Sequence, residues 1–124
     1  IWMAKSGFGG TEYLLPALVS EGTRRGMGYN HMARVTSWNP AQRFGLNRKG
    51  DIEIGFDADL ALVDPAKTWT IRAEASPSTQ GCTPFEGLGL SAAVTTTFLR
   101  GMKICENGEV LGQPRGQYLH RPTA

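Results

Sequence analysis

Few residues in this chain have the types and spacing that chemistry needs. Asp57 and Asp59 are paired carboxylates of the kind acid–base chemistry uses. Glu12 is a second candidate acid, although a carboxylate at a helix start has a sufficient structural role beside the positive end of the helix dipole. His31 and His120 stand alone, without an H-x-H pair, and His31 reads as a surface residue. Cys82 and Cys105 lack C-x-x-C spacing and a nearby His, which argues against a metal site and for two reduced thiols in a cytoplasmic protein. The run Ser6-Gly7-Phe8-Gly9-Gly10 places three glycines in four residues just before a helix. Its backbone can turn freely and let another group approach, either as an anion-binding loop or as a flexible turn. The spacing is not that of a dinucleotide fingerprint, and the flexible turn is the reading this run supports by itself.

The elements that must position these groups change character near residue 50. Thr11–Arg25 reads as a helix capped by Thr11, with Leu14, Leu15, Leu18 and Val19 on one apolar face. Arg24 and Arg25 sit at its C-terminal end, and Pro16 predicts a kink or a late start. A turn at Gly26–Gly28 precedes a second helix, Asn30–Ser37, with Met32, Ala33, Val35 and Thr36 as candidates for burial. Asn39 then caps a short third helix, with Pro40 at its first position, Gln42 at capping-box spacing and Gly45 as its stop. Beyond Gly50 the signals are strand and turn: Asp51–Ile54, Leu60–Val63, Thr68–Arg72, Ala93–Leu99, Lys103–Glu106 and Glu109–Leu111. Arg100-Gly101 and Asn107-Gly108 predict tight turns, the second a hairpin. Glu74–Leu90 has no clear period, and a loop that long in a compact domain is functional or packed against something else. The end, Gly112–Ala124, is polar and reads as an extended arm.

Composition sets outer bounds. The 124 residues are 40% hydrophobic and 19% charged with a formal net charge of +2, an ordinary globular balance sufficient for one domain. The basic doublets Arg24-Arg25 and Arg48-Lys49 form no patch that would track phosphates, so nucleic-acid binding is not expected. No apolar run approaches the ~20 residues of a membrane span, and the first ten residues do not resemble a signal peptide. The start, Ile1-Trp2-Met3, suggests a fragment, or a subunit whose partner segment is missing.

The run Asn39–Pro65 resembles the C-terminal segment of the cyclic amidohydrolases: hydantoinases, dihydropyrimidinases, allantoinases and dihydroorotases. It carries N-P-A-x-x-F-G-L from Asn39 to Leu46, then K-G-x-I-x-x-G-x-D-A-D-L from Lys49 to Leu60, and an apolar strand ending at Asp64-Pro65. Ser6–Pro16 is similar to the family's S-G-x-x-G-x-E-x-x-L-P segment after the last barrel strand, and Thr83–Gly87 to its T-P-[FY]-x-G loop. Thr97–Gly101 and Glu106–Glu109 resemble its strand-end turn and hairpin, and Arg115–Leu119 the allantoinase and hydantoinase tail.

This resemblance implies an α+β fragment: the terminal helices of a metal-dependent amidohydrolase (β/α)8 barrel, followed by part of a small β-sandwich. Residues 1–48 would be the C-terminal end of the barrel domain and residues 49–124 the C-terminal part of the sandwich with its extended tail. It implies hydrolysis of a ring amide C–N bond by a hydroxide held between two divalent metal ions, commonly zinc. The family's ligands are an H-x-H pair, a carboxylated Lys, two further His and an Asp. His31 and His120 match none of these, so no metal ligand and no catalytic residue is expected in this chain, and the fragment alone is expected to be inactive and poorly stable. Backbone groups at Ser6 and Gly7 are the expected substrate contacts, while Asp57 and Asp59 shape the turn into a strand. Allantoin, hydantoins and dihydropyrimidines are the implied substrates, and the intact protein would be a cytoplasmic homo-oligomer with no nucleic-acid or membrane partner. The alternatives are a non-catalytic dihydropyrimidinase-like assembly or interaction protein and an autonomous β-sandwich binding module.

Overall fold

The computed structural model describes Gly7 and residues 9–120. Helices fill its first part and strands its second. A single 3₁₀ turn, Thr11–Tyr13, leads into helix α1, Leu14–Arg24. Thr11 is not the cap: Gly10 holds that position, and no side chain caps the first turn. The late start of α1 puts Pro16 in its first α-helical turn, where N–H groups lack helical partners, so the proline is accommodated and buried. The buried face of the helical stretch is Tyr13, Pro16, Val19, Ser20 and Gly22, while Leu14 is 58% exposed and falls off the expected apolar face. Gly22 packs closely on the second helical stretch: a Cβ there would lie 2.6 Å from Met32 Cε, which would have to move.

The second helical stretch is continuous. Helix α2, Tyr29–Ala33, passes through a π turn at Arg34–Trp38 into helix α3, Asn39–Phe44. Asn39 is therefore a helical residue with φ −60° and ψ −44°, not a cap. The wider π turn gives the Pro40 ring room against the preceding carbonyls, which is why the proline does not end the helix. Met32 is buried and Thr36 half-buried, but Ala33 and Val35 are exposed. Gly45 stops α3 in the left-handed conformation (φ 63°), with Leu46 N–H donating to Ala41 O and Gly45 N–H to Gln42 O, a Schellman ending.

Among the described residues, strands β1 (Leu60–Asp64), β4 (Ala93–Leu99), β5 (Met102–Glu106) and β6 (Glu109–Val110) form an antiparallel sheet in the order β1-β4-β5-β6. Strands β2 (Trp69–Thr70) and β3 (Gly89–Leu90) form a separate pair. Leu60 lies opposite Phe98 and Leu99 opposite Met102, with irregularities between Leu62 and Val63 and between Thr97 and Phe98. Both expected tight turns form, with positive φ at Arg100, Gly101, Asn107 and Gly108. The expected strand at Asp51–Ile54 does not form. Ile52 and Ile54 are 83% and 103% exposed: alternation makes a strand only where a neighbouring backbone completes its ladder, and among the described residues none does.

Two small cores join the helices to the strands. Tyr13, Ile71 and Leu90 form one, with Ala17 and Trp69 packed against it. Val19, Met32 and Ala92 form the other, with Leu15, Leu18, Met27 and Val63 around it. The tail from Gly112 to His120 is exposed and irregular, tied back where Arg100 Nη2 donates to Arg115 O at 2.6 Å.

Candidate functional site

The glycine turn before α1 meets the loop between β2 and β3. Gly7 has φ 91° and is exposed, and among the described residues no atom lies within 4 Å of where a Cβ would stand. Ser6 lies outside the described residues. Gly9 N–H donates to Gln80 Oε1, and a Cβ on Gly9 would lie 2.8 Å from that oxygen. Gly10, at φ 137°, packs tightly toward Phe85, whose Cε2 would be 3.3 Å from a Cβ. The Ser76 hydroxyl donates to Glu12 Oε1 at 2.5 Å. That bond is the largest cause holding the Glu12 carboxyl below its ordinary value, so Glu12 is ionised at neutral pH and is poorly suited to donate a proton.

The loop itself is anchored at its base. Ile71 N–H donates to Leu88 O at 2.9 Å, and Ile71 O accepts from Gly87 N–H at 3.0 Å. Glu86 accepts from Ala73 N–H at 2.6 Å and from Arg72 Nη1 at 3.3 Å. Phe85 then stands edge-on to Tyr13, ring centres 6.3 Å apart, and Tyr13 also meets Trp69 at 6.1 Å. The segment without clear period is thus packed against the N-terminal turn. Sequence reasoning missed Ser76 and Gln80; the only signal was the loop's length, which says that it packs but not on what.

The paired carboxylates are engaged elsewhere. Lys49 Nζ bridges Asp57, at 2.8 Å, and Asp59, while Arg48 Nη2 meets Asp57 at 3.0 Å. Asp59 Oδ1 also accepts from Arg100 N–H at 2.7 Å, and Gly101 N–H donates to Ala58 O at 2.9 Å, so this turn is pinned to the β4–β5 hairpin. The hydrogen bond from Lys49 lowers the Asp57 pKa. Burial pushes Asp59 up, but Lys49 and the Arg100 amide outweigh it and the net shift is downward. Both carboxylates are committed to structure, in agreement with their reading as turn-shaping residues.

Other candidates are not assembled into a site. His31 is exposed on α2, and His120 rests edge-on against Tyr118. Cys82 and Cys105 are free thiols. An open groove of about 740 Å³ runs between α1 and the β2–β3 pair, but Ser20 on its wall is satisfied, donating to Pro16 O and accepting from Ser91 N–H. Among the described residues no three of His, Cys, Asp and Glu cluster so as to hold a metal ion, so these residues do not fit a metal centre. No described helix is long and apolar enough to cross a membrane.

Comparison with known proteins supplies the family. The amidohydrolase family profile matches residues 9–108. A dihydroorotase of Methanosarcina acetivorans is 41% identical over 119 residues, covering 94% of this chain and 25% of its own length. An allantoinase of Rubrobacter xylanophilus is 39% identical over 120 residues, covering 96% of this chain and 26% of its own length. The L-hydantoinase (dihydropyrimidinase) of Arthrobacter aurescens superposes with a TM-score of 0.83 at 32% identity, covering 90% of this chain and 25% of its own. The chain spans about a quarter of the length of the curated relatives it matches. Its α+β arrangement, helices followed by a sheet, corresponds to part of hydantoinases, which are TIM-barrel amidohydrolases. The chain belongs to the amidohydrolase family, among its cyclic amidohydrolases.

Proposed function

We propose that these residues are the C-terminal segment of a metal-dependent hydrolase that opens a ring amide C–N bond, of the allantoinase or hydantoinase/dihydropyrimidinase type. The observation that carries this reading is the superposition on L-hydantoinase across 90% of the chain. In this reading residues 1–48 end the barrel domain, and residues 49–124 are the C-terminal part of the β-sandwich with its tail. The two divalent metal ions, zinc in this proposal, are held by residues outside this chain, and no reaction step is assigned here to a side chain within it. The contribution of this segment is positional: backbone groups of Ser6 and Gly7 hold the ring amide of a small cyclic amide or ureide. The exposed position of Gly7 supports that role. The intact protein is a cytoplasmic homo-oligomer in this reading, and the 124 residues alone have no turnover.

The test uses the intact polypeptide from the gene. Ring opening of allantoin, hydantoin, dihydrouracil and dihydroorotate is followed before chelation, after it, and after zinc is restored. Opening of one of these rings, lost on chelation and regained with zinc, is the expected result. A metal-replete protein that opens none of them overturns the proposal and favours an assembly role. Turnover by the 124-residue piece alone would overturn the placement of the chemistry upstream.

A further inference from the structure

The contacts between the glycine turn and the β2–β3 loop join residues 64 and 71 positions apart in sequence, and they fall on nearly consecutive positions of the turn. Gly9 meets Gln80, Gly10 meets Phe85, and Glu12 meets Ser76. Within the loop, Ser78 N–H donates to Ser76 Oγ at 3.1 Å and Gln80 N–H to Ser78 Oγ at 3.4 Å, so serine hydroxyls brace the approach to Gln80. A turn this rich in glycine has many conformations to lose, and a backbone that must hold a ligand in one geometry needs an external brace. The contact is close: a Cβ on Gly9 would stand 2.8 Å from Gln80 Oε1 and 3.0 Å from Ser78 Oγ, so those side chains would have to shift.

We infer that Gln80, supported by Ser76 on Glu12, is a positioning clamp that fixes the Gly9–Gly10 backbone and so limits where the chain two residues earlier, at Gly7, can place the backbone proposed to meet the cyclic amide substrate. This inference rests on the proposed function. Gln80 itself touches no substrate; it acts through the Gly9 amide. The depressed Glu12 pKa agrees with a carboxylate that stays charged and bonded to Ser76 at neutral pH.

The test compares Gln80→Ala, Gln80→Glu and Ser76→Ala in the intact, metal-replete protein, using whichever ring amide the parent opens. A clamp that organises substrate binding equally in ground and transition states raises KM without changing kcat, by about three- to tenfold for one lost hydrogen bond. Gln80→Ala is expected to show that rise with kcat near the parent value. Gln80→Glu keeps an acceptor for the Gly9 amide and is expected to restore KM. Ser76→Ala is expected to give a smaller rise in the same direction, and it keeps the test open should Gln80→Ala fail to fold. An active parent whose KM is unmoved by Gln80→Ala and Ser76→Ala overturns the clamp alone. So does a fall in kcat and melting temperature at constant KM, which is the signature of a merely structural contact. A parent that opens no ring amide overturns the proposed function and the clamp together.

Discussion

Ile71→Ala tests whether the packing beneath the β2–β3 loop holds that loop in place. Ile71 is 0% exposed and packs with Tyr13 and Leu90, with Ala17 and Trp69 alongside. The substitution removes three carbon atoms, and at about 0.8 kcal/mol per buried methylene the transfer loss alone is roughly 2.4 kcal/mol. Tyr13 and Trp69 are large rings from separate elements and cannot both move into the gap, so a cavity remains. The total is then about 3–4 kcal/mol, inside the range for such truncations. Ile71→Val leaves most of the contact and is expected to lose only about 1 kcal/mol. Urea denaturation of the intact protein, read with equal slopes for parent and variants, measures both values. The same core seats Tyr13 against Phe85, and the Ile71 backbone bonds Gly87 and Leu88, so the valine variant should keep the loop. A loss below about 1 kcal/mol for Ile71→Ala would refute the reasoning, because it would mean that the site is not close-packed or collapses freely.

The turn knot gives a pH-dependent prediction. Asp57 and Asp59 titrate below ordinary aspartate, so the unfolded chain takes up protons first as acid is added. Their stabilisation is complete above the unfolded aspartate value of about 4, and it is lost as pH falls through the lower folded values. Lys49→Met should lower the urea midpoint at pH 7 and flatten this acid limb, so that the gap to the parent narrows as pH falls below about 4; a gap that stays constant as the pH is lowered through the acid limb would contradict it. Gly50→Ala should be the more damaging of two glycine substitutions. At φ 88° a Cβ would lie 2.7 Å from both Ala41 Cβ and the Ser37 carbonyl oxygen, whereas at Gly55, φ 93°, a Cβ would meet nothing within 4 Å among the described residues. Gly55→Ala then carries only the conformational penalty of about 1–2 kcal/mol, and Gly50→Ala adds a backbone collision. Equal melting temperatures for the two variants would refute that difference.

Much of the local architecture was legible because local chemistry decides it. Gly45 stops a helix because it takes positive φ cheaply, and Arg100-Gly101 and Asn107-Gly108 make tight turns for the same reason. The span Ala93–Leu99 is the strand that its β-branched and aromatic run predicts. The candidate site was less legible. Glycines and a Thr-Pro-Phe-Glu-Gly run marked two loops, but no property of either loop names the other as its partner.

Features that depend on a distant neighbour were not legible. Asp51–Ile54 alternates like a strand yet remains a loop, because strand formation needs a second backbone that periodicity cannot supply. Thr11 and Asn39 have cap-forming side chains, but a 3₁₀ turn preceded by Gly10 and a π turn moved the helix boundaries away from them. Leu14 belongs to an apolar helical pattern and is exposed, because Tyr13 instead of Leu14 faces Ile71 and Leu90. Local φ preferences and side-chain period set the change from helices to strands near residue 50 and the tight turns at Arg100-Gly101 and Asn107-Gly108. Which surfaces meet, and therefore that Gln80 reaches Gly9 and Lys49 reaches Asp59, follows from packing across long chain separations that no local residue pattern encodes.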